Sequence, residues 1–489
     1  MIVSFFENAM TWLQGPGIRV GTGFCISFGW MTVFGMLITF FASLLTIFKR
    51  KWKNKESKIA SYSDIPTSWA WIRWILAFGP WFGILVFYVS QWKGEQLWFQ
   101  NYATHDERLI GTGASYGSFW SNHEGSWMLW LGLVMVLLAF GSQKVDLSNT
   151  SFFYPEKKED KKNRSETAQF PQGLHASIFW KHAWYYFQIP GLFWAYNLII
   201  SSPFLRMSVV YDEPFDYANG LGLVPALQDT ALACHPPLLF FGLAFCALIW
   251  YLGMILFSKE TSAYPIYAQK VFLWYEWAIG CTFGILTVGL AWGGFWAYSE
   301  LGWGSYWFWD PVENAGLLPW LVVACLFHRQ VQRKRSIQVE KNLIENHGLW
   351  IIGGISLWPL SLFSTWGVRS GIFTSVHSFA AETSKTFALI SLVSFFVFLW
   401  CFYATIALLR KSNVRHPKGK YLQQGLWVGL FFILWVAFGT YGPILWTVLG
   451  QDELHVGAAF FNPWVGAVGI VLGWLLIQSN IQSQKRARK

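Results

Sequence analysis

The sequence predicts an all-α integral membrane protein, a polytopic helix bundle with about eleven transmembrane helices. Two observations predict this fold class. Of the 489 residues, 54% are hydrophobic and only 13% are charged. The apolar residues also come in uninterrupted runs of about 17 to 25, the length that a helix needs to cross the hydrocarbon core of a bilayer.

The eleven runs are distributed over the whole chain, so we expect a single membrane domain over residues 1–489 without a separate soluble domain or an internal repeat. The predicted spans begin near Gly23, Ser68, Trp127, Ala183, Pro236, Val271, Pro311, Leu349, Phe387, Gly425 and Phe460.

The positive charges predict the orientation. The loops that the alternating spans place on one side hold 29 of the 36 lysines and arginines, so this side is expected to be the inner one and the amino terminus to lie outside. The net charge of +10 then reflects inner loops beside anionic lipid, and no nucleic-acid partner is expected. The six cysteines form no C-x-x-C pair, which argues against a c-type cytochrome and against a thiol reductant.

Four outer segments are rich in aromatic residues, histidine or acidic residues. They are residues 92–126, residues 204–235, residues 369–386 and residues 291–312, which we call the tryptophan segment. Tryptophan is common at membrane boundaries. That preference does not account for "WGGFWAYSELGWGSYWFWD", in which glycines such as Gly293 and Gly294 allow close approach of the backbone.

The predicted topology sorts the histidines. His235 precedes two prolines that suit the first turn of a helix, which places it at the outer mouth of the fifth span. His377 follows Arg369 in an outer loop, and His328 ends the seventh span near the inner face. Each could equally be an ordinary interfacial residue. The other histidines, His347 among them, are expected in loops and in contact with water.

A shallow groove of aromatic rings and bare backbone suits a planar macrocycle such as haem, whose iron is most often bound by imidazole. Arg369 is the expected partner of the haem propionates, because a guanidinium binds carboxylate in a bidentate way; an interfacial arginine is the plain alternative. Asp310, before Pro311, is expected to cap a helix, with Glu313 near the positive end of that helix.

These residues resemble a known family. The motifs "NHEGSWMLW", "CHPPLLF", "WAYSELGWGSYWFWDPVENAGLLPWL", "VRSGIFTSVHSFA" and "FFNPW" resemble CcmF-type cytochrome c haem lyases in order and spacing, over roughly residues 100–478. The stretch "WGSYWFWDPVEN" is similar to the WWD motif that haem-handling membrane proteins share.

The resemblance implies a function in cytochrome c maturation, in which haem is attached through thioether bonds to an apocytochrome c. His235 and His377 would bind the iron of the substrate haem that a haem chaperone delivers, and His328 would bind a resident b haem. Thiol-handling maturation proteins are further implied partners. The implied haem platform comprises Trp296, Trp303, Trp307, Trp309 and Asp310.

The chain departs from the family in one respect. Members of full length have a second transmembrane histidine for the b haem, and no match to it follows His328. Either a separate chain supplies this ligand, as in organellar genomes that split the gene, or the b haem has been lost. We expect the split, and with it the mitochondrial inner membrane rather than a bacterial plasma membrane. The tryptophan segment would face the intermembrane space or the periplasm. A haem transporter and a non-catalytic subunit of a respiratory complex are the alternatives.

Overall fold

The computed structural model describes the chain in several stretches. They are scattered residues between 74 and 88, then 117–145 without 122, 223–257 without 224, residue 261, 265–332 without 303 and 304, 343–375 without 374, and 420–487 without 453.

Seven long α-helices lie in the described part of the chain. They are α1 (His123–Lys144), α2 (Ala231–Leu256), α3 (Pro265–Glu300), α4 (Pro311–Gln332), α5 (Leu343–Arg369), α6 (Lys420–Val448) and α7 (Ala458–Ala487). Each is long and apolar enough to cross a membrane. They confirm the predicted spans near Trp127, Pro236, Val271, Pro311, Leu349, Gly425 and Phe460, and with them an all-helical integral membrane protein.

The other four predicted spans are not confirmed. Those that begin near Gly23, Ala183 and Phe387 lie outside the described residues, and of the span near Ser68 only scattered helical residues from 74 to 88 are described. The total of eleven helices therefore stays a prediction.

The start of α2 corrects one expectation. Asp229 Oδ1 accepts a hydrogen bond of 2.6 Å from the amide of Ala231, and this contact helps to begin the helix at Ala231. Pro236 and Pro237 therefore lie in the second turn of α2 and not in its first turn. His235 is held on the helix and does not stand ahead of it.

The tryptophan segment is not a loop throughout. Helix α3 has 36 residues and continues to Glu300, so residues 291–300 are helical and only 301–310 form a connection. At 1.5 Å per residue, a helix of this length measures about 54 Å, well beyond the hydrocarbon thickness of a bilayer. Trp292 and Trp296 are thus presented from a rigid helix end, while Trp307 and Trp309 come from the connection.

Helix α2 lies at the centre of the described bundle. It packs against α1, α3 and α5, and α4 packs in turn against α3 and α5. Trp130, Trp250, Trp358 and Tyr275 are fully buried where α1, α2, α3 and α5 meet. Helices α6 and α7 pair with each other and join the bundle through α4. Helices α3 and α5 both flank α2 and α4, and they also contact each other, for example through Phe272 and His347.

His347 was expected in a solvated loop, and this expectation was wrong. His347 is the fifth residue of α5 and is only 8% exposed, because its ring packs against Phe272 of α3 at 4.9 Å and against Trp350 at 5.9 Å. The polar residues of "IENHG" hide the first turn of α5 from a search for apolar runs.

Candidate functional site

A mostly apolar cavity of about 230 Å³ lies where α2 and α4 begin and α5 ends. Helix α3 contributes Trp296 to its wall. Three of the site residues predicted from sequence, His235, Trp296 and Arg369, line this one cavity. Trp120, Phe240 and Ser364 also line the cavity.

The imidazole of His235 is fixed by α3. Its Nδ1 lies 2.9 Å from the carbonyl oxygen of Gly289, and since a carbonyl can only accept, Nδ1 carries the proton. In the neutral ring Nε2 then bears the lone pair that a metal ion would need. Gly293, one helical turn further along α3, has its Cα against the ring: an added Cβ would lie 2.9 Å from Nε2 and closer still to Cε1.

Trp296 reaches the cavity from the last part of α3. Its indole N–H donates to the carbonyl of Ala226, 3.3 Å away, in the short 3-10 turn Pro225–Leu227. The side chain is almost fully buried. Because this hydrogen bond satisfies the N–H, the indole can be buried at little cost in free energy. Its ring then provides an apolar wall for the cavity.

The opposite wall, formed by α5, is more polar. The Nη2 atom of Arg369 donates to Ser126 Oγ, at 3.0 Å, which ties the last residue of α5 to the first turn of α1. Ser364 and Thr365 lie about one turn further into the membrane on the same wall. The hydroxyl of Ser364, which is 4% exposed, lies within hydrogen-bonding reach of the buried hydroxyl of Tyr441 of α6.

Trp307 and Trp309 do not line this cavity, so the structure does not bring them together with Trp296 there. The ring of Trp309 stacks on Phe461 of α7, with centroids 4.6 Å apart, and its Nε1 donates to Asn462 Oδ1 at 2.7 Å. Trp307 contacts Trp309 edge to face. These partners on α7 satisfy the indole of Trp309 and make it a packing residue in the described structure.

The backbone of Trp309 has φ of +59°, which a bulky residue adopts at a cost of about 1–3 kcal/mol. The contacts to Phe461 and Asn462, and a hydrogen bond of 3.0 Å from Asn314 Nδ2 to the carbonyl of Trp309, offset this strain. The connection between α3 and α4 is therefore anchored to α7.

We expect Asn462→Ala to lower the free energy of unfolding by about 1–3 kcal/mol, because it leaves the indole N–H of Trp309 without its acceptor. Thermal unfolding of the detergent-solubilised protein measures the change. In the Trp309→Phe background the same substitution should cost less than about 0.5 kcal/mol. Equal costs in both backgrounds would contradict the anchoring role of this hydrogen bond.

Asp310 caps α4, as the sequence predicts. Its Oδ2 accepts from the amide of Val312 at 3.0 Å, and Glu313 Oε2 accepts from the amides of Phe308 and Asp310 at 3.0 and 3.2 Å. Asp310 Oδ2 also accepts a hydrogen bond of 2.7 Å from the hydroxyl of Ser375. This bond ties the outer segment after α5 to the tryptophan segment.

His377 and Trp303 lie outside the described residues, so their expected positions are untested. His328 is near the C-terminal end of α4 and is exposed, with Nδ1 2.8 Å from the carbonyl oxygen of Ala324. This bond leaves Nε2 with the lone pair, so the ring fits one axial position of a haem. Among the described residues no cluster of three or more histidine, cysteine, aspartate or glutamate residues could hold a metal ion.

Sequence reasoning missed three features of the cavity: the carbonyl of Gly289 that orients His235, the hydroxyl of Ser126 that holds Arg369, and the buried hydroxyl of Ser364. Ser126 belongs to "NHEGSWMLW", which carried the family resemblance, so a signal was present. Its partner is 243 residues away, and spacing alone could not identify it.

Comparison with known proteins gives the family. Residues 173–373, which include His235, the tryptophan segment and Arg369, match the family described as Cytochrome C assembly protein.

Curated relatives extend this match. The cytochrome c-type biogenesis protein CycK of Bradyrhizobium diazoefficiens is 32% identical over 354 residues, covering 70% of this chain and 46% of that protein. The protein ccl1 of Rhodobacter capsulatus is 32% identical over 380 residues, covering 75% and 50%. CcmF of Pseudomonas fluorescens is 29% identical over 385 residues, covering 73% and 50%. The chain spans about half the length of these relatives. All three are bacterial and give no support to the expected mitochondrial location.

A solved structure described as Cytochrome c Heme Lyase CcmF is similar in fold, with a TM-score of 0.56 and 18% identity, over 95% of this chain and 61% of that one. The sequence matches and the helical fold agree with the motifs read from the sequence. The chain belongs to the family of CcmF-type cytochrome c biogenesis proteins.

Proposed function

We propose that the protein is a haem lyase subunit of the cytochrome c maturation system, which binds substrate haem at its outer cavity and promotes thioether attachment to apocytochrome c. The observation that carries the proposal is the convergence of His235, Trp296 and Arg369 on this cavity from three different helices. An imidazole, an aromatic wall and a guanidinium are the groups that haem iron, porphyrin and propionates would contact.

The cavity is smaller than the pockets of about 300–1,000 Å³ that enclose drug-sized ligands. A porphyrin would therefore enter by one edge and leave the rest of the ring outside the described wall. This arrangement suits a haem that a second protein must reach, because a fully enclosed ring would keep its vinyl groups from the thiols of an apocytochrome.

His377 is the proposed second ligand of the iron. Ser375 lies two residues before it and is bound to Asp310. Two residues of extended chain span at most about 7 Å, which would keep His377 within that distance of Ser375. The connection between α3 and α4, which Trp309 anchors to α7, would then hold Ser375 at a fixed position beside the cavity.

The proposed reaction adds each thiol of a C-x-x-C-H motif across one vinyl group of ferrous haem. A carbon–sulfur bond forms at one vinyl carbon and the proton of the thiol is transferred to the other, so the addition has no net change in redox state. The residues described here bind and orient the ring. Holding thiol and vinyl side by side replaces a bimolecular encounter with an oriented one.

At the inner face, His328 would bind a resident b haem, which would supply electron-transfer chemistry. The second ligand would come from a separate chain. A haem chaperone, apocytochrome c and thiol-handling maturation proteins are the other proposed partners. The membrane would be a bacterial plasma membrane, which the relatives favour, or the mitochondrial inner membrane, with the cavity on the periplasmic or intermembrane side.

Two other functions are alternatives to the haem lyase. A haem transporter should have broken helices near the middle of the membrane; the seven described helices run without interruption. A non-catalytic subunit of a respiratory complex would have no need of an oriented imidazole and a guanidinium in one cavity. Neither alternative is supported by a specific contact in the described structure.

The test is haem binding by the purified full chain. Ferric protoporphyrin IX should give a low-spin absorption spectrum with the wild-type protein, since two imidazoles bind the iron. The double variant His235→Ala, His377→Ala should lose this spectrum and fail to support cytochrome c maturation in cells. His455, which is exposed in the connection between α6 and α7, provides the matched control His455→Ala.

If the double variant kept both the spectrum and maturation, the proposed function would be wrong. If the spectrum vanished while maturation continued, the cavity would bind haem for some purpose other than attachment.

A further inference from the structure

We propose that the deep part of the cavity receives the one edge of the substrate porphyrin that carries only methyl groups, and that this contact sets the orientation of the ring. The deep part is the portion lined by Leu239, Phe240 and Leu243 of α2 and by Ala315 and Gly316 of α4. The inference rests on the proposed function, because it names which edge of the substrate haem enters the cavity.

The deep part lies farther into the bundle than the polar site residues. His235 and Arg369 line the end of the cavity where α2 begins and α5 ends, which we call its mouth. At 1.5 Å per residue, Leu243 lies about 12 Å along α2 from His235. Phe240 and Leu243 also pack against the buried core of the bundle, which holds this wall in place.

The described residues of the deep part offer no partner to a carboxylate. Two hydroxyl groups of α5 line the cavity about one turn before Arg369, and both already have partners. Thr365 Oγ1 donates to the carbonyl of Ser361 at 2.8 Å, and the hydroxyl of Ser364 lies within hydrogen-bonding reach of Tyr441. A carboxylate placed there would lose its hydration without compensation, so the propionate edge of a porphyrin is excluded.

The substituents of protoporphyrin IX leave one edge that fits. Of its four meso edges, one is flanked by two propionates, two are flanked by a vinyl and a methyl group, and one is flanked by two methyl groups. An edge in the deep part is enclosed by side chains of α2, α4 and α5, where the thiol of a second protein cannot reach it. The proposed reaction uses both vinyl groups, so only the methyl edge can be enclosed during it.

This contact would give the ring a single orientation. With the iron at His235 and the methyl edge in the deep part, the ring could still turn over about the axis through that edge. Turning it over exchanges the side that carries the propionates with the side that carries a vinyl group. Arg369 reaches the cavity from α5 alone and would favour the orientation that brings the propionates to α5. Each vinyl group would then have a fixed place.

The experiment uses two synthetic iron porphyrins of the same composition. In the first, ethyl groups replace the two methyl groups of the methyl edge; in its regioisomer, ethyl groups replace the other two methyl groups. The purified full chain is titrated with each, beside ferric protoporphyrin IX. We expect the first porphyrin to bind about 5- to 150-fold more weakly than its regioisomer, because the added carbons overfill the deep part.

Leu243→Ala should reduce this ratio to about threefold or less, because the shortened side chain leaves room for the added carbons. Phe240→Leu is a second variant that enlarges the same space. The matched control is Leu252→Ala, since Leu252 is a buried leucine of α2 that does not line the cavity. The control should leave the ratio as it is in the wild type. A general loss of packing in α2 would weaken the binding of both regioisomers equally.

Equal binding of the two regioisomers by the wild type would overturn this inference, and so would weaker binding of the regioisomer, which would mean that a vinyl edge enters. A wild-type ratio that neither Leu243→Ala nor Phe240→Leu reduces would overturn the assignment to the deep part. If the wild type bound none of the three porphyrins, the proposed function itself would fail. Binding of ferric protoporphyrin IX therefore distinguishes the two failures.

Discussion

Gly293→Ala should weaken the binding of ferric protoporphyrin IX about 5- to 150-fold without unfolding the protein. The added Cβ would lie 2.9 Å from Nε2 of His235 and 3.0 Å from its Nδ1, so the imidazole would have to leave its present position. Rearrangements of this kind typically cost about 1–3 kcal/mol, which corresponds to the stated change in affinity. Gly293→Leu should abolish binding, because its side chain would fill the space of the ring.

The control for this prediction is Gly284→Ala on the same helix. An added Cβ there meets no atom within 4 Å. Both substitutions favour the helix by about 1 kcal/mol, so a general effect on α3 would appear in both. Titration of the two purified variants with ferric protoporphyrin IX separates the local clash from such an effect. Equal affinities for the two variants would show that the orientation of His235 does not matter for binding.

The hydrophobic runs predict the described helices well, because a helix that crosses a bilayer must carry an apolar surface whatever its partners are. Hydrophobic runs do not reveal a helix where polar residues are buried against other parts of the protein. His347 lies just before an apolar run and next to polar residues, yet it is covered by Phe272 and Trp350. In α3 the span predicted from the sequence ends too early, because the helix continues to Glu300 and is longer than a bilayer crossing requires.

The site could be predicted in part. The sequence predicts that the backbone is approached closely at Gly293 and Gly294. An added Cβ on Gly294 would lie 2.7 Å from the carbonyl oxygen of Tyr306. What the sequence could not supply is the partner of each contact. The neighbour of Gly293 is the imidazole of His235 on α2, and the neighbour of Trp309 is Asn462 on α7. Such pairs depend on how helices far apart in sequence are packed.

Gly354→Ala should cause the largest loss of stability, about 3 kcal/mol. Gly354 lies where α2, α3 and α5 meet, and an added Cβ would overlap the hydroxyl of Tyr275 and lie 2.9 Å from Ile249 Cγ2. Tyr275 would have to move, and its hydrogen bond of 2.9 Å to the carbonyl of Trp350 would break. Overpacking and a lost buried hydrogen bond outweigh the gain of about 1 kcal/mol in helix propensity.

The melting temperature of the detergent-solubilised protein measures this loss, with Gly466→Ala of α7 as the control, since nothing lies within 4 Å of an added Cβ there. The control should melt at or slightly above the wild-type temperature. Tyr275→Phe removes the oxygen that the new methyl group meets, so it should recover part of the loss when combined with Gly354→Ala. If the combined variant were as unstable as the sum of the two single variants, the close contact between α3 and α5 would not be the cause. The instability would then have to arise from the contact with Ile249 on α2.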